Sequence, residues 1–286
     1  MESITLPAPA KLNRFLHIIG QRSDGYHLLQ TIFQFIDFSD QLTFTLRKDH
    51  EITVNTDVTE IANKNNLVVR AAQLLQQSDA ERMGVDIIID KKIPIGGGLG
   101  GGSSDAATTL LALNKLWDLN LSIDQLCEIG LQIGADVPVF VRGKTAWADG
   151  VGELLTTMEL PETWFTVIVP PVHIATAEIF CDNKLTRDTA ICTISPSLVE
   201  TGHNDCERIV RKRYPEVGKA LDWLSKHAQA RMTGTGGCIF ANFDDMATAL
   251  DVVEQLPKEF SGFVAKGVNE SPVLAQLKRY ADEVVS

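Results

Sequence analysis

Two periodicities divide the chain. Strand-like apolar content runs through Ala10 to Ile19 and Leu28 to Phe38. Leu42-Thr43-Phe44-Thr45-Leu46 and Ile52-Thr53-Val54 alternate on either side of the polar stretch Arg47 to Glu51, which predicts a hairpin. Val85-Asp86-Ile87-Ile88-Ile89-Asp90 predicts a further strand, and Phe165-Thr166-Val167-Ile168-Val169 a short apolar one ending at Pro170-Pro171. Helical spacing takes over at Asn66 to Leu75 and Ala106 to Trp117, the latter with Ala107, Leu110, Leu111, Asn114 and Trp117 on one face. It recurs at Asp124 to Ile133, Cys206 to Arg213, Val217 to His227 and Met246 to Leu256. Strands crowd the early chain without alternating strictly with helices, so a doubly wound parallel sheet is excluded. The pattern predicts an α+β protein in two halves, residues 1–160 and 161–286, the second opening on a strand near Trp164.

Between the Val85 strand and the Ala106 helix lies Pro94-Ile95-Gly96-Gly97-Gly98-Leu99-Gly100-Gly101-Gly102-Ser103-Ser104-Asp105. Glycine reaches left-handed backbone conformations and carries no Cβ to block a ligand. Such a loop turns amide N–H groups inward, and the helix behind it adds the partial positive charge of its N-terminus. Those features suit a triphosphate. A flexible linker would join polar, unstructured segments, whereas this run joins two apolar elements. Ser103 or Ser104 is the expected N-cap of the helix.

Gly96, Gly98 and Gly101 satisfy the G-x-G-x-x-G spacing, but Lys91-Lys92-Ile93-Pro94 separates the strand from the glycines. A second helix, not a strand, follows the first, so the dinucleotide fingerprint fails. Gly97 and Gly102 have Walker spacing, yet Ser103 stands where that motif requires lysine. Charge neutralisation must therefore come from Mg²⁺ and from a lysine elsewhere.

Composition narrows the field. With 286 residues, 44% hydrophobic, the chain can build one large core or two ordinary ones. A net charge of −11 argues against nucleic acid as a partner, because such binding rests on a basic surface. The sequence contains neither a signal-peptide pattern nor an apolar run long enough to span a bilayer. Cys127, Cys181, Cys192, Cys206 and Cys238 are odd in number and lack C-x-x-C spacing, as expected of reduced thiols in a cytoplasmic protein.

Four further segments draw notice. In Pro9-Ala10-Lys11-Leu12-Asn13, Lys11 and Asn13 share one face of a strand. Alone, Lys11 reads as an ordinary edge lysine. Gly134-Ala135-Asp136-Val137-Pro138-Val139-Phe140 sets an acid among apolar residues, and alone Asp136 reads as an N-cap. Gly25-Tyr26-His27 follows the turn-like Arg22-Ser23-Asp24 and reads equally as loop packing. Thr233-Gly234-Thr235-Gly236-Gly237-Cys238 reads as a tight turn before the buried strand Ile239-Phe240-Ala241, or as a place where another backbone approaches the ligand.

In their order along the chain, Pro9 to Asn13, Pro94 to Asp105 and Thr233 to Ala241 resemble the three motifs of the GHMP kinases. Arg22 to His27, Gly134 to Phe140 and Phe263-Val264-Ala265-Lys266-Gly267 narrow the likeness to the branch that acts on a cytidine-diphosphate-linked methylerythritol, on the non-mevalonate route to isoprenoid precursors. The resemblance extends from Pro9 to about Pro272. It implies a two-domain fold, with a ribosomal-protein-S5-like ATP domain followed by an α/β sandwich domain that contributes to the acceptor site. It further implies transfer of the γ-phosphoryl group of ATP to the 2-hydroxyl of the erythritol moiety. Asp136 would be the base and Lys11 its partner; whether Asp136 takes the proton early or chiefly orients the hydroxyl stays open.

By the same resemblance, Pro94, Ile95, Gly96, Gly97, Gly98, Leu99, Gly100, Gly101, Gly102, Ser103 and Ser104 would wrap the ATP phosphates. Asn66 and Lys91 would lie near the adenosine. Tyr26 and Phe180 would sandwich the cytosine, His27 would bond its edge, and Asn13 would bond the erythritol hydroxyls. Asp105 reads as a first-turn residue facing the helix dipole. No Mg²⁺ ligand is assigned, the metal being held by phosphates, water and a loop serine. The partners implied are small molecules, not a membrane, and the chain is expected to be a monomer or weak homodimer. Two alternatives stand beside this reading: another GHMP kinase, of homoserine or mevalonate type, and a non-catalytic nucleotide-binding regulator on the same fold.

Overall fold

The computed structural model describes residues 2–58, 66–77 and 83–285, with side chains as far as Tyr280. The fold begins with an unusually long antiparallel pair, β1 (Ser3–Gln21) and β2 (His27–Leu46). Its register slips between Pro9 and Lys11, between Asn13 and Leu16, and between Ile18 and Gly20. Such bulges bend a strand and re-aim its side chains, and two of them bracket Lys11 and Asn13.

The predicted hairpin over residues 42–54 does not form. β3 (Ile52–Thr56) runs parallel to β4 (Val85–Asp90), and β4 lies between β3 and β2. Val85, Ile87 and Ile89 are buried, whereas no residue of β3 is, so the stronger apolar strand takes the inner place. Gly84 makes the insertion possible. Its N–H donates to Asp49 O, its carbonyl accepts from Arg47 N, and an added Cβ would lie 2.0 Å from Glu51 O. The turn that was to close a hairpin instead wraps the start of β4.

Helices α1 (Leu67–Gln76), α2 (Gly101–Leu116), α3 (Ile123–Ile133) and α4 (Val137–Arg142) pack with β1, β2 and β4 around one core, from Leu6 and Phe44 to Leu110 and Val139. Local chemistry starts two of them: Asn66 Oδ1 accepts from Val68 N at α1, and Ser122 and Gln125 form a capping box at α3. β5 (Ala146–Asp149) and β6 (Leu154–Thr157) extend the sheet beside β2.

The second half opens on β7 (Trp164–Val169). It continues through α5 (Thr176–Phe180), α6 (Leu198–Thr201), α7 (Glu207–Arg213), α8 (Pro215–Leu224) and β8 (Arg231–Met232). β9 (Ile239–Phe243), α9 (Met246–Glu254), β10 (Ser261–Val268) and α10 (Pro272–Val285) complete the chain. Its own core gathers Ile168, Val210, Leu221 and Ile239, with Leu16 and Ile18 supplied by β1. β10 pairs with both β2 and β7, so among the described residues ten strands form one continuous sheet. α10 folds back, placing Val273 in the first core.

A third cluster joins the halves: Ala10, Leu12, Ile36, Ile93, Leu99, Phe165, Val167, Cys238, Phe240 and Ala265. Leu99 is 1% exposed there. The glycine loop is thus anchored on the seam, not hung from one edge.

Candidate active site

The outer edge of β1 organises the site. Its backbone donors turn away from β2 to meet two loops: Lys11 N donates to Leu99 O at 3.0 Å, and Asn13 N to Thr233 Oγ1 at 2.9 Å. The two glycine-rich segments then pack backbone on backbone. Cys238 N donates to Gly97 O, and a Cβ on Gly236 would sit 2.1 Å from Gly98 N. The backbone that needed a close approach at Gly236 is that of the first glycine loop.

Gly96, Gly98 and Gly100 have φ of 71°, 79° and 75°, a conformation L side chains rarely adopt. Gly100 is the N-cap of α2, and the helix already begins at Gly101. Ser103 and Ser104 are therefore inside the first turn, contrary to the expected N-cap; Ser104 Oγ instead donates to Pro9 O at 2.7 Å. Gly101 and Gly102 join the helix because its start packs closely: a Cβ on Gly101 would meet Ile93 Cγ2 and Lys91 Nζ, each at 3.0 Å. The first N–H groups of α2, from Gly101 onward, have no acceptor within the helix and lie where an anion is favoured.

Asp105 falls in the second turn, not the first, and faces inward instead of toward the helix dipole. Asp105 is 3% exposed; its Oδ2 takes a 2.6 Å bond from Lys91 Nζ, and among the described residues Oδ1 has no partner. Lys91 Nζ also donates to Asp40 Oδ2 at 2.5 Å, and Asp40 Oδ1 accepts from Lys92 N and Ile93 N. One buried ammonium thus ties the approach to the glycine loop to the helix leaving it. Burial lowers the Lys91 pKa, but pairing with Asp105 and Asp40 outweighs that and raises it. Burial pushes Asp105 up, against the pull of Lys91.

Lys11, 2% exposed, points Nζ at three oxygens: Asn13 Oδ1 at 2.5 Å, Gly98 O at 3.0 Å and Asp136 Oδ2 at 3.4 Å. It is a buried ammonium with partners, not an edge lysine with its head in water. Asp136 stands at the N-cap position of α4 yet caps nothing with its side chain, which is 37% exposed. Asn13 is committed on both sides, Oδ1 to Lys11 and Nδ2 to Thr31 Oγ1 at 3.0 Å.

A cavity of about 1350 Å³ takes in the whole constellation, from Asn66 and Lys91 through the glycine loop, Lys11 and Asp136 to Tyr26, His27 and Phe180. Asn66 is half-buried at the start of α1 and Lys91 Nζ is held by its two carboxylates. At the far end His27 stacks on Phe180, ring centroids 4.9 Å apart at 25°. Tyr26 is 60% exposed on the neighbouring loop, its N–H donating to Asp24 Oδ1.

Sequence reasoning missed Asp40 and Arg187, and it marked the segment that begins at Thr233 without assigning that side chain a part. Arg187 Nε donates to His27 Nε2 at 2.9 Å. A polar residue among Ser39, Gln41 and Leu42 carries no local mark of burial, so no signal in the pattern of Asp40's neighbours would have found it.

Among the described residues no cluster of three acidic, histidine or cysteine side chains is suited to a metal ion, and no helix is long and apolar enough to cross a membrane. Mg²⁺ keeps several waters and takes one or two protein oxygens beside substrate phosphates, and Ser103 and Asp136 carry oxygens of that kind on the cavity wall. The Ser103 hydroxyl borders Gly134, two residues before Asp136.

Residues 66–144 match the GHMP kinases N terminal domain and residues 193–262 the GHMP kinases C terminal domain. The 4-diphosphocytidyl-2-C-methyl-D-erythritol kinase of Hahella chejuensis is 50% identical over 290 residues, 98% of each chain. A crystal structure of 4-(cytidine 5'-diphospho)-2C-methyl-D-erythritol kinase, 28% identical, superposes with a TM-score of 0.79 over 92% of this chain and 99% of that one. Homoserine kinase from Cytophaga hutchinsonii, at 17% identity and a TM-score of 0.67 over 95% and 96%, shares the fold. This chain belongs to the GHMP kinase family of ATP-dependent small-molecule kinases, among the 4-diphosphocytidyl-2-C-methyl-D-erythritol kinases.

Proposed function

We propose that the chain transfers the γ-phosphoryl group of ATP to the 2-hydroxyl of 4-diphosphocytidyl-2-C-methyl-D-erythritol, giving the 2-phosphate and ADP on the route to isoprenoid precursors. The observation that carries this reading is the convergence of Lys11 and Asp136 beside the glycine loop, in one cavity with an aromatic wall at its other end. Relatives about 50% identical over nearly the full chain support the acceptor. The homoserine kinase likeness extends to the fold alone.

Phosphoryl transfer demands positioning and charge stabilisation more than covalent chemistry from the protein. The acceptor oxygen forms its bond to the γ-phosphorus as the bond to the β,γ-bridging oxygen breaks, and the hydroxyl proton passes to Asp136 Oδ. Lys11 Nζ, held between Asn13 and the Gly98 carbonyl, faces the negative charge spreading over the transferring group. Backbone N–H groups from Gly96 to Ser103 cradle the remaining phosphates. Mg²⁺, with Ser103 as its protein contact, would neutralise phosphate charge.

In this reading Asn66 and Lys91 border the adenosine. Tyr26 and Phe180 cover the cytosine faces and His27 bonds its edge. Asn13 acts chiefly by orienting Lys11, with a remaining lone pair of Oδ1 for an acceptor hydroxyl. Residues 1–160 form the ATP side, and 161–286 contribute Phe180 and Thr235 to the acceptor side. The free thiols support a cytoplasmic setting, and we take the protein to be a monomer or weak homodimer.

Incubation with ATP, Mg²⁺ and the cytidine-linked methylerythritol, beside mevalonate and homoserine, tests the reading. ADP release with the first compound alone is expected. Release with mevalonate or homoserine instead would assign the site to another acceptor, and release with none would leave a nucleotide-binding regulator.

A further inference from the structure

Arg187 lies in the irregular stretch between α5 and α6 and makes four hydrogen bonds. Nη2 donates to Phe180 O at 2.8 Å and Asp182 O at 3.0 Å, Nη1 to Leu185 O at 3.1 Å, and Nε to His27 Nε2 at 2.9 Å. Three of these fix the guanidinium against the backbone that carries Phe180. The fourth has a chemical consequence, because arginine has donors only and stays protonated. The nitrogen it meets must present a lone pair. His27 Nε2 is therefore the acceptor, and the imidazole proton resides on Nδ1.

We propose that Arg187 is a positioning and specificity-determining residue: it holds His27 as the Nδ1–H tautomer, so that the cavity presents a single hydrogen-bond donor to a base whose edge offers an acceptor. The inference rests on the reading of a cytidine-bearing acceptor given above. At the middle of its pairing edge cytosine presents an unprotonated N3, an acceptor, whereas uracil carries a proton there, so a donor aimed at that atom pairs with cytosine and meets uracil donor to donor. Among the described residues no hydrogen-bond partner meets Nδ1, and the His27 ring lines the cavity. The ring cannot easily turn its other nitrogen inward, since it is 9% exposed and stacked on Phe180. Burial and the adjacent Arg187 charge both lower the His27 pKa, which favours the neutral ring. The opposite tautomer, with its proton on Nε2, would offer a lone pair from Nδ1 and meet the uracil N3–H favourably, so the tautomer that Arg187 selects sets the preference.

Nitrogen-15 NMR of the full-length, unmodified protein tests this directly, with His27 assigned by its loss in His27→Gln. The expected spectrum has a protonated Nδ1 and an unprotonated Nε2, and cytidine diphosphate shifts the Nδ1 signal more than uridine diphosphate does. In turnover, the cytidine-linked acceptor should be preferred over its uridine counterpart on the order of 10²-fold, the scale set by the cost of leaving a buried donor unsatisfied. Arg187→Ala should raise the acceptor KM about tenfold or more and narrow that preference, while the KM for ATP moves about threefold at most. An Nε2–H signature in a protein that phosphorylates the cytidine acceptor would overturn the inference alone. An Arg187→Ala protein that keeps both the cytidine preference and the acceptor KM would overturn it too. No turnover of the cytidine acceptor by the unmodified chain would overturn the underlying reading, and the inference with it.

Discussion

Lys11 Nζ stands 3.4 Å from Asp136 Oδ2, a contact between the bulged middle of β1 and the residue immediately before α4. Each partner is explained by the other. A buried ammonium requires a counter-charge, and Asp136 supplies it from a side chain that still opens to the cavity. Asp136→Asn should retain nucleotide binding while turnover falls roughly 10²–10⁴-fold, the range for losing a general base. Groups that act as a unit give non-additive losses, so Lys11→Met combined with Asp136→Asn should be about as slow as the worse single variant. Coupled ADP assays beside nucleotide titration check both; near-normal turnover of Asp136→Asn would remove it from the chemistry.

The contact of Gly236 with Gly98 gives a second expectation. A Cβ at position 236 would lie 2.1 Å from Gly98 N and 2.2 Å from Gly97 C, against backbone that has little room to yield. Gly236→Ala should therefore destabilise the protein by about 1–3 kcal/mol. It should also raise the KM for ATP, since the phosphate cradle is what must move. Thermal melting with and without ATP reads both effects, and an unchanged melting point would mean the segments are not in contact.

The Asp40–Lys91–Asp105 cluster separates two carboxylates that look alike in sequence. Asp40 is fully buried with every bond satisfied, so Asp40→Asn leaves the Lys91 charge partly unpaired and should cost about 3–5 kcal/mol. Asp105→Asn should cost much less, because burial already disfavours its charge. Urea unfolding of the two variants ranks them, and an equal loss would contradict the difference in their surroundings.

That same burial has a pH signature. The Asp105 pKa is higher in the folded chain than its ordinary 3.8, so between that value and the raised one the folded chain holds more proton than the unfolded chain. The stability this residue contributes is complete below the unfolded value and is lost as pH rises through the folded one. Compared with Asp105→Asn, the unmodified protein should lose urea resistance between about pH 4 and about pH 7. Parallel pH profiles for the two proteins would argue that Asp105 is already ionised at the low end.

Tyr26 is exposed, and among the described residues its side chain has no hydrogen-bond partner, so its removal should leave the fold intact. Loss of one stacking face is worth about 1–3 kcal/mol per base. Tyr26→Ala should accordingly raise the acceptor KM roughly tenfold or more while the KM for ATP stays near its original value. Equal losses for both ligands would assign Tyr26 to the loop's structure instead.

What could be read from the sequence, and what could not, follows the range of the forces involved. The strand at Val85, the helices at Asn66 and Asp124, and the glycine loop are local facts: alternation, capping and the freedom of glycine act within a few residues. The shared face of Lys11 and Asn13 is likewise local, and their 2.5 Å bond realises it. The misplaced hairpin shows where locality ends. Residues 42–54 have the pattern of two neighbouring strands, but only the whole sheet could decide that the more apolar β4 comes between them. The start of α2 was decided in the same way, by packing of Gly101 against Ile93 and Lys91 and not by a serine cap.

Sequence by itself therefore determined the kinds of element, the phosphate loop and the residues able to carry charge to it, because each is written in a short run of side chains. Tertiary structure alone decided which charges meet: Lys11 with Asp136, Lys91 with Asp40 and Asp105, and Arg187 with His27. A cation and its partner lower their energy by proximity in space, and only the folded sheet and the loops on its edge turn distant positions into neighbours.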